Sequence, residues 1–332
     1  MANDLIVRPQ LPISQPKRSV PAIVFGTRPV TIARRTLYFA AAVFVAYFGV
    51  LGNLMHRLDA DPDFAPPNAV VGGSHAVNMT AGLIERETVT HRWSVNDPIF
   101  FPTAFLDNMP NFQRGLIRSI SRFTTELEDQ FGRLRGSSAI DPDLERAAGL
   151  LQFPPDVWLF DFEQSLLPVQ PADTQYQAAL RSLNAYNERV ASGSAPFERR
   201  ADALAMAVQR IASDLGSRAA LVDEHVRRDG FIIDFVSDDV FYFNKGMTYG
   251  YYLMLRELGR DFEQLIEQQG LGGMWEQALD SLRLASQLRP LIVMNGGGDA
   301  SFFANHLHQQ GFYMKRAILQ LDEVARVMAL RR

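Results

Sequence analysis

Apolar residues return at intervals of three and four along most of the chain. Phe112, Leu116, Ile120, Phe123, Leu127 and Phe131 form one stripe, with Pro110 placed for a first helical turn. Leu204, Val208, Ile211, Leu215, Val222 and Val226 form a second that ends before Gly230, and Tyr251, Leu255, Leu258, Phe262 and Leu265 form a third. Leu307, Met314, Ile318, Leu321 and Met328 carry the same period toward the end of the chain. A stripe of this kind is the buried side of an amphipathic helix, so each is read as core rather than as the lining of a cofactor site. Clusters of Gly, Pro, Ser and Asp at 136–143, 153–156, 167–173 and 192–196 read as loops. Two runs at 231–236 and 291–294 suit strands but are short. The pattern predicts a mainly α protein built as a helical bundle, with a division into two subdomains open near 155–172.

One stretch breaks the period because it is apolar on every side. From Leu37 to Met55 nineteen residues run without a charge, and Asn53 is their only strongly polar member. About 20 such residues span the roughly 30 Å hydrocarbon layer of a bilayer, so this segment is predicted to be a single transmembrane helix with the lipid bilayer as its partner. A cleaved signal fits worse: it would start earlier, and GNLMHRLDADPDF offers no small-residue cleavage pattern. Arg8, Lys17, Arg18, Arg28, Arg34 and Arg35 precede the segment, whereas Asp59, Asp61 and Asp63 follow it soon after Arg57. Positive charge stays on the cytoplasmic side, which predicts a bacterial inner-membrane protein with its N-terminus inside and its larger part periplasmic. Residues 1–36, basic and carrying five prolines, read as a cytoplasmic tail, 56–73 as a linker and 74–332 as the periplasmic helical domain.

Composition narrows the function classes by exclusion. The 332 residues, 47% hydrophobic and 21% charged, suffice for a sizeable core and exclude disorder throughout. A net charge of -4 gives no basic footprint for phosphate, which argues against nucleic acid as a partner of the main domain. With no cysteine, disulfides, iron–sulfur clusters, thiolate zinc sites and cysteine nucleophiles are all removed, and any metal must use His, Asp or Glu. No Gly-rich dinucleotide loop after a strand and no phosphate-binding P-loop is present, and no cofactor is predicted.

Several strings are distinctive: LDNMPNFQRGLIRSISRF from Leu106, DPDLERA from Asp141, SDDVFYFNKGMTYGYYLMLREL from Ser237 and PLIVMNGGGDASFFANHLHQQGFYMKRA from Pro290. Together they resemble an uncharacterised family of proteobacterial inner-membrane proteins, domain of unknown function twenty-three thirty-three. The resemblance extends over most of the chain from the apolar segment onward. It implies the same topology and a shared helical fold, and it implies no mechanism. Lys245 and Gly246 stand where the resemblance leads one to expect an Arg-Gly pair.

The strongest candidate for chemistry is the glycine-rich stretch Asn295, Gly296, Gly297, Gly298 and Asp299 with Asn305, His306 and His308. Glycines admit backbone N–H groups close to a ligand, a following helix N-terminus favours an anion, and imidazoles add charge or ligation. The same residues also describe an interhelix turn, with Asp299 or Ser301 capping the last helix and Asn305 and His306 bonding the turn from inside. That structural reading is preferred. His306 and His308 would point about 200° apart on a helix and cannot share a metal. Nothing in the sequence brings His75, His91 or His225 to them, and no metal site is predicted. Asp234, Asp238 and Asp239 around Ser237 suit either an acid–base pair or a helix N-terminus, with capping preferred.

These observations lead to an interaction protein: a membrane-anchored scaffold or accessory subunit of an envelope complex, with other membrane or envelope proteins as partners. The alternative is a periplasmic small-ligand-binding or hydrolytic domain using the 295–308 region. The topology is directly testable. A reporter enzyme that works only outside the cytoplasm is expected to be active when fused after Arg332 and inactive when fused within about the first 30 residues. Activity in the opposite pattern overturns the orientation.

Overall fold

The computed structural model describes residues 28–56, 58–132, 140–160, 167–227, 235–290, 293 and 305–330. Among the described residues every regular element is helical. Two units separate after Val45. The described part of the first is α1 (Arg28–Phe44) and the start of a wider, π-wound stretch, Val45–Leu51. That stretch leads into α2 (Gly52–Met55), and the whole run Thr31–Met55 is long and apolar enough to cross a membrane.

From Ala46 onward the chain forms one compact unit. Its further helices are α3 (His75–Glu85), α4 (Asn108–Glu126), α5 (Pro142–Leu150), α6 (Ala172–Ala191), α7 (Ala201–Arg227), α8 (Phe235–Asp261), α9 (Glu263–Gln268), α10 (Gly272–Gln287) and α11 (His306–Leu330). Helix α8 is central, packing against α4, α3 and α10, while α11 lies along α7 and α10 and α5 pairs with α6. The stripes read from the sequence face inward: Phe112, Leu116, Phe123, Leu204, Val208, Leu215, Leu255, Leu258, Met314 and Leu321 are all buried. The short run at 231–236 is not a strand where it is described, because Phe235 and Val236 open α8; residues 231–234, 291, 292 and 294 lie outside the described residues.

The contact between α4 and α8 is built on missing side chains. A Cβ added to Gly115 on α4 would lie 1.8 Å from the Phe243 carbonyl oxygen on α8, and one added to Gly246 on α8 would lie 1.9 Å from the Phe112 oxygen on α4. Each helix thus presents a glycine to the backbone of the other, an approach that any side chain would prevent.

Helix ends are satisfied by groups close in sequence and far from it. Asp141 caps α5 by accepting from the Asp143 and Leu144 N–H groups, with Pro142 in the first turn. Ser74 Oγ accepts from Val77 N at the start of α3. Asp261, at the end of α8, accepts there from Ser74 Oγ at 2.7 Å and from the His75 and Ala76 N–H groups at 2.9 Å. A carboxylate at a helix N-terminus answers both its orphan donors and its dipole.

Residues 58–73, whose composition reads as a linker, are fastened to the domain. Tyr249 donates to the Asp61 carbonyl at 2.7 Å, and Arg256 donates to the Pro62 and Phe64 carbonyls at 2.7 and 2.8 Å. Asn78 both donates to and accepts from the Val70 backbone. Ala60 is buried, and Leu58 and Phe64 pack against the core. Proline and aspartate density reports a segment without helix or strand, and the partners that hold this one come from the α3 that follows it and from α8, far away in sequence.

Gly115→Ala and Gly246→Ala are each expected to destabilise the protein by about 1–3 kcal/mol or more, as overpacking against backbone does. Gly216→Ala, on α7 where an added Cβ meets nothing within 4 Å, is expected to stabilise by up to about 1 kcal/mol. Urea unfolding of the three variants checks the contrast, and similar shifts at all three positions would remove the close-contact explanation.

Candidate functional site

Of the residues singled out from the sequence, Asn295, Gly296, Gly297, Gly298 and Asp299 lie outside the described residues, as does Ser301. Asn305 and His306 stand at the start of α11. Asn305 Oδ1 accepts from the His308 N–H at 2.8 Å, which is the bond of a helix N-cap. Asn305 therefore does what the sequence reading assigned to Asp299 or Ser301. Burial pulls the His306 imidazole below its ordinary range, and His308 is exposed. The remaining histidines are dispersed: His56 accepts from the Met109 N–H at 3.1 Å, His75 stands near Glu257, His91 near Glu87, and His225 shares a 2.9 Å hydrogen bond with Ser237. Among the described residues no three His, Asp or Glu side chains converge as metal ligands.

The LDNMPN and SDD strings meet where α4 and α8 begin. Asn111 donates to Asp239 Oδ1 at 2.5 Å, and Asn108, with its amide nitrogen turned inward, reaches Asp238 Oδ2 at 2.5 Å. Burial, reinforced by Asp107 and Asp239, pushes the Asp238 carboxyl up to about 6. Next to this node Lys245 is 2% exposed and donates to the Ser286 and Leu288 carbonyls at 2.7 and 2.6 Å. It closes the C-terminal end of α10, where orphan carbonyls and the negative pole of the dipole replace a carboxylate partner. Burial, with Arg289 adding, pulls its ammonium down to about 8. These groups are occupied in joining helices.

A large groove lies elsewhere. A groove of about 710 Å³ runs between α4 and α7, with Arg114, Arg118 and Arg122 along its α4 wall and Arg218 on its α7 wall. The three α4 arginines are four residues apart, so they rise one turn at a time on one face. An adjoining cavity of about 260 Å³ adds Arg210 and Glu126. Ile117, Leu151, Phe153, Leu221 and Phe243 give the groove apolar wall as well.

Among the described residues, carboxylates do not match these guanidinium groups. Asp214 accepts from Tyr251 at 2.7 Å and stands 3.5 Å from Arg118 and 3.9 Å from Arg122, so one charge is divided among three neighbours. Arg114 is paired with Asp156. Arg218 donates to the neutral Asn244 Oδ1 at 3.2 and 3.1 Å and lies 4.1 Å over the Phe243 ring. Burial lowers the Arg218 guanidinium, opposed by Asp214 and aided by Arg118. Glu126 is pushed up to about 7 by burial against the pull of Arg210, so near neutrality it supplies only part of a charge. The result is a groove with unsatisfied capacity for carboxylate or phosphate, which the planar guanidinium fork binds with two hydrogen bonds.

Residues 69–235 match the model of a family of uncharacterised proteins conserved in bacteria, DUF2333. The chain belongs to the DUF2333 family. No curated protein and no solved structure matches it. The DUF2333 match includes the LDNMPN and DPDLERA strings and stops before those that begin at Ser237 and Pro290, so the family resemblance rests on a shorter stretch than the sequence reading gave it. Every arginine of the groove falls inside the DUF2333 match, and Lys245 falls outside it. The sequence did carry a signal for the groove: Arg114, Arg118 and Arg122 share the helix whose apolar stripe was read. Only the fold shows that this face turns toward α7 rather than toward open solvent.

Glu126 allows a pH test. Its carboxyl is raised from an ordinary 4.5 to about 7, so the folded state holds a proton that the unfolded state has already lost between those values. Its favourable contribution is therefore complete below about pH 4.5 and is lost as pH rises toward 7. Glu126→Gln is expected to unfold at the same urea concentration as the parent near pH 4 and to be more stable near pH 7.5, by on the order of 1–2 kcal/mol. A pH-independent difference would place the charge of Glu126 in solvent.

Proposed function

We propose that this DUF2333 protein is a single-pass protein of the bacterial inner membrane, with its N-terminus cytoplasmic and its helical domain periplasmic. In this reading it serves as a scaffold or accessory subunit of an envelope complex. The observation that carries the binding role is the arginine-lined groove between α4 and α7. Three guanidinium groups at one-turn intervals, about 6 Å apart along the helix, suit successive carboxylates of an extended chain better than one compact ion. The apolar wall accommodates side chains between those carboxylates. The occupant proposed is accordingly an acidic segment of a partner protein. The anchoring role is supported by the apolar run Thr31–Met55 and by the basic residues that precede it.

A fluorescent peptide of about eight residues alternating Glu with Leu provides the test against the full chain in detergent. Binding is expected to weaken as salt rises, as screening requires. The Arg118→Glu, Arg122→Glu double variant is expected to lose at least about tenfold in affinity, equivalent to roughly 1.4 kcal/mol, with an unchanged melting temperature. Equal binding by parent and variant overturns the groove as the binding site.

A further inference from the structure

Six bulky apolar side chains stand in two neighbouring loops. In residues 98–106, PIFFPTAFL, Ile99 is 75% exposed and Phe100 and Phe105 are each 59% exposed. In residues 157–160, VWLF, Leu159 and Phe160 are exposed, and Trp158 joins the loops with its ring 5.9 Å from Phe100 and 5.8 Å from Phe160. Neither run contains a charge. A contiguous uncharged aromatic patch of this kind is costly in water and marks a surface that is covered.

The loops that carry it are rigidly framed. Asp97 accepts from Thr103 and Arg92, and the Arg92 guanidinium lies 4.4 Å over the Phe101 ring. Asn96 donates to the Val157 carbonyl at 2.9 Å and Trp93 to the Pro155 carbonyl at 3.1 Å, which ties the second loop to the first. Within 98–106 the backbone makes three hydrogen bonds, Phe101 N to Pro98 O, Ala104 N to Phe101 O and Leu106 N to Thr103 O. Pro98 and Pro102 have no N–H to satisfy. These bonds serve three of the seven N–H groups of the run, which suits the hydrated headgroup boundary rather than the hydrocarbon interior.

The position of the patch identifies what covers it. Tyr47 donates to the Phe100 carbonyl at 3.1 Å, and the Phe48 ring packs edge-on against Phe105 at 4.8 Å. Gly52 is so close to Pro102 that a Cβ there would lie 2.4 Å from its carbonyl oxygen. The wide winding of Val45–Leu51 brings these three residues to the same side. All three belong to the apolar run that ends at Met55, and Tyr47 lies eight residues short of that end. Phe100 and Phe105 thus stand directly beside the outer third of this helix, and Trp158 joins the second loop to Phe100.

We propose that this patch is a membrane seat, whose aromatic and aliphatic side chains enter the boundary of the leaflet from which the Thr31–Met55 helix emerges. The domain then rests on the lipid surface instead of hanging from a tether. Trp158 and Tyr47 supply the amphipathic rings favoured at a headgroup boundary, and Ile99, Phe100 and Phe105 reach the acyl chains. The inference rests on the anchoring reading of the apolar helix.

The absence of cysteine makes single spin labels straightforward. Four single-cysteine variants of the full chain, Val43→Cys, Ile99→Cys, Phe105→Cys and Gln277→Cys, are labelled and reconstituted in vesicles of phosphatidylethanolamine and phosphatidylglycerol. Accessibility to oxygen, which concentrates in lipid, is compared with accessibility to a water-soluble nickel chelate. Labels at 43, 99 and 105 are expected to favour oxygen several-fold relative to the label at 277. Oxygen preference at 43 with nickel preference at 99 and 105 leaves the anchor standing and overturns the seat. Nickel preference at 43 overturns the anchor and the seat together. Shielding of 99 and 105 from both reagents shows that protein covers the patch and also overturns the seat.

Discussion

The arrangement of the domain depends on the place where α4 and α8 touch through their backbones. Gly115 and Gly246 each face a carbonyl of the opposite helix, so the crossing point and the depth of approach are set by two residues without side chains. Much else follows from that approach. Asn111 is brought within reach of Asp239, and the Phe112 ring packs 5.8 Å from that of Tyr249. On the far side of Gly115, Arg114 and Arg118 are left to line the groove, and Phe243 from α8 becomes its floor beneath Arg218. The contact that seals the core also forms one edge of the proposed binding site.

Around this crossing, charged groups inside the domain are placed where backbone or side-chain dipoles receive them. Lys245 sits on the terminal carbonyls of α10 and Asp261 on the first N–H groups of α3. Arg86 pairs with Glu87 at 2.8 Å, donates to Tyr249 at 2.7 Å and stacks on Phe64. Burial pushes the Glu87 carboxyl up, yet His91, Arg86 and Gln113 together hold it below the usual carboxylate range. Buried polar networks are costly when half satisfied and specific when complete. Here each network joins segments distant in sequence, including the 58–73 strap, so they select one assembly of amphipathic helices among the many that apolar stripes alone permit.

The helices were legible because periodicity is a local property: the stripes containing Phe112, Leu204, Leu255 and Leu321 needed only their own neighbours to be recognised. The strap was not, since its partners Tyr249 and Arg256 lie almost two hundred positions further along the chain and leave no trace in the composition of 58–73. The glycines and histidines near the C-terminus are residue types rich in chemistry, but type alone does not place them in a site. Asn305 instead serves as a cap, because α11 is described from His306 and the cap falls to the residue before it. Arginines spaced by four on α4 look like an ordinary solvated face until α7 is seen to lie opposite them. Likewise PIFFPTAFL has no period, and its uncharged run gains meaning only beside Tyr47 and Phe48.

The bond from Asp261 to the start of α3 bears on how the chain is made. Ser74 and Asp261 are 187 positions apart, so α3 emerges from the ribosome long before the carboxylate that completes its first turn. At about 5–20 residues per second this interval lasts on the order of 10–40 s, during which α3 and the strap before it lack their partners on α8. Such a chain cannot close its core segment by segment as it is synthesised. Its early helices must be kept from aggregating until α8 arrives, which makes this protein a natural client for whatever holds unfolded segments during biogenesis.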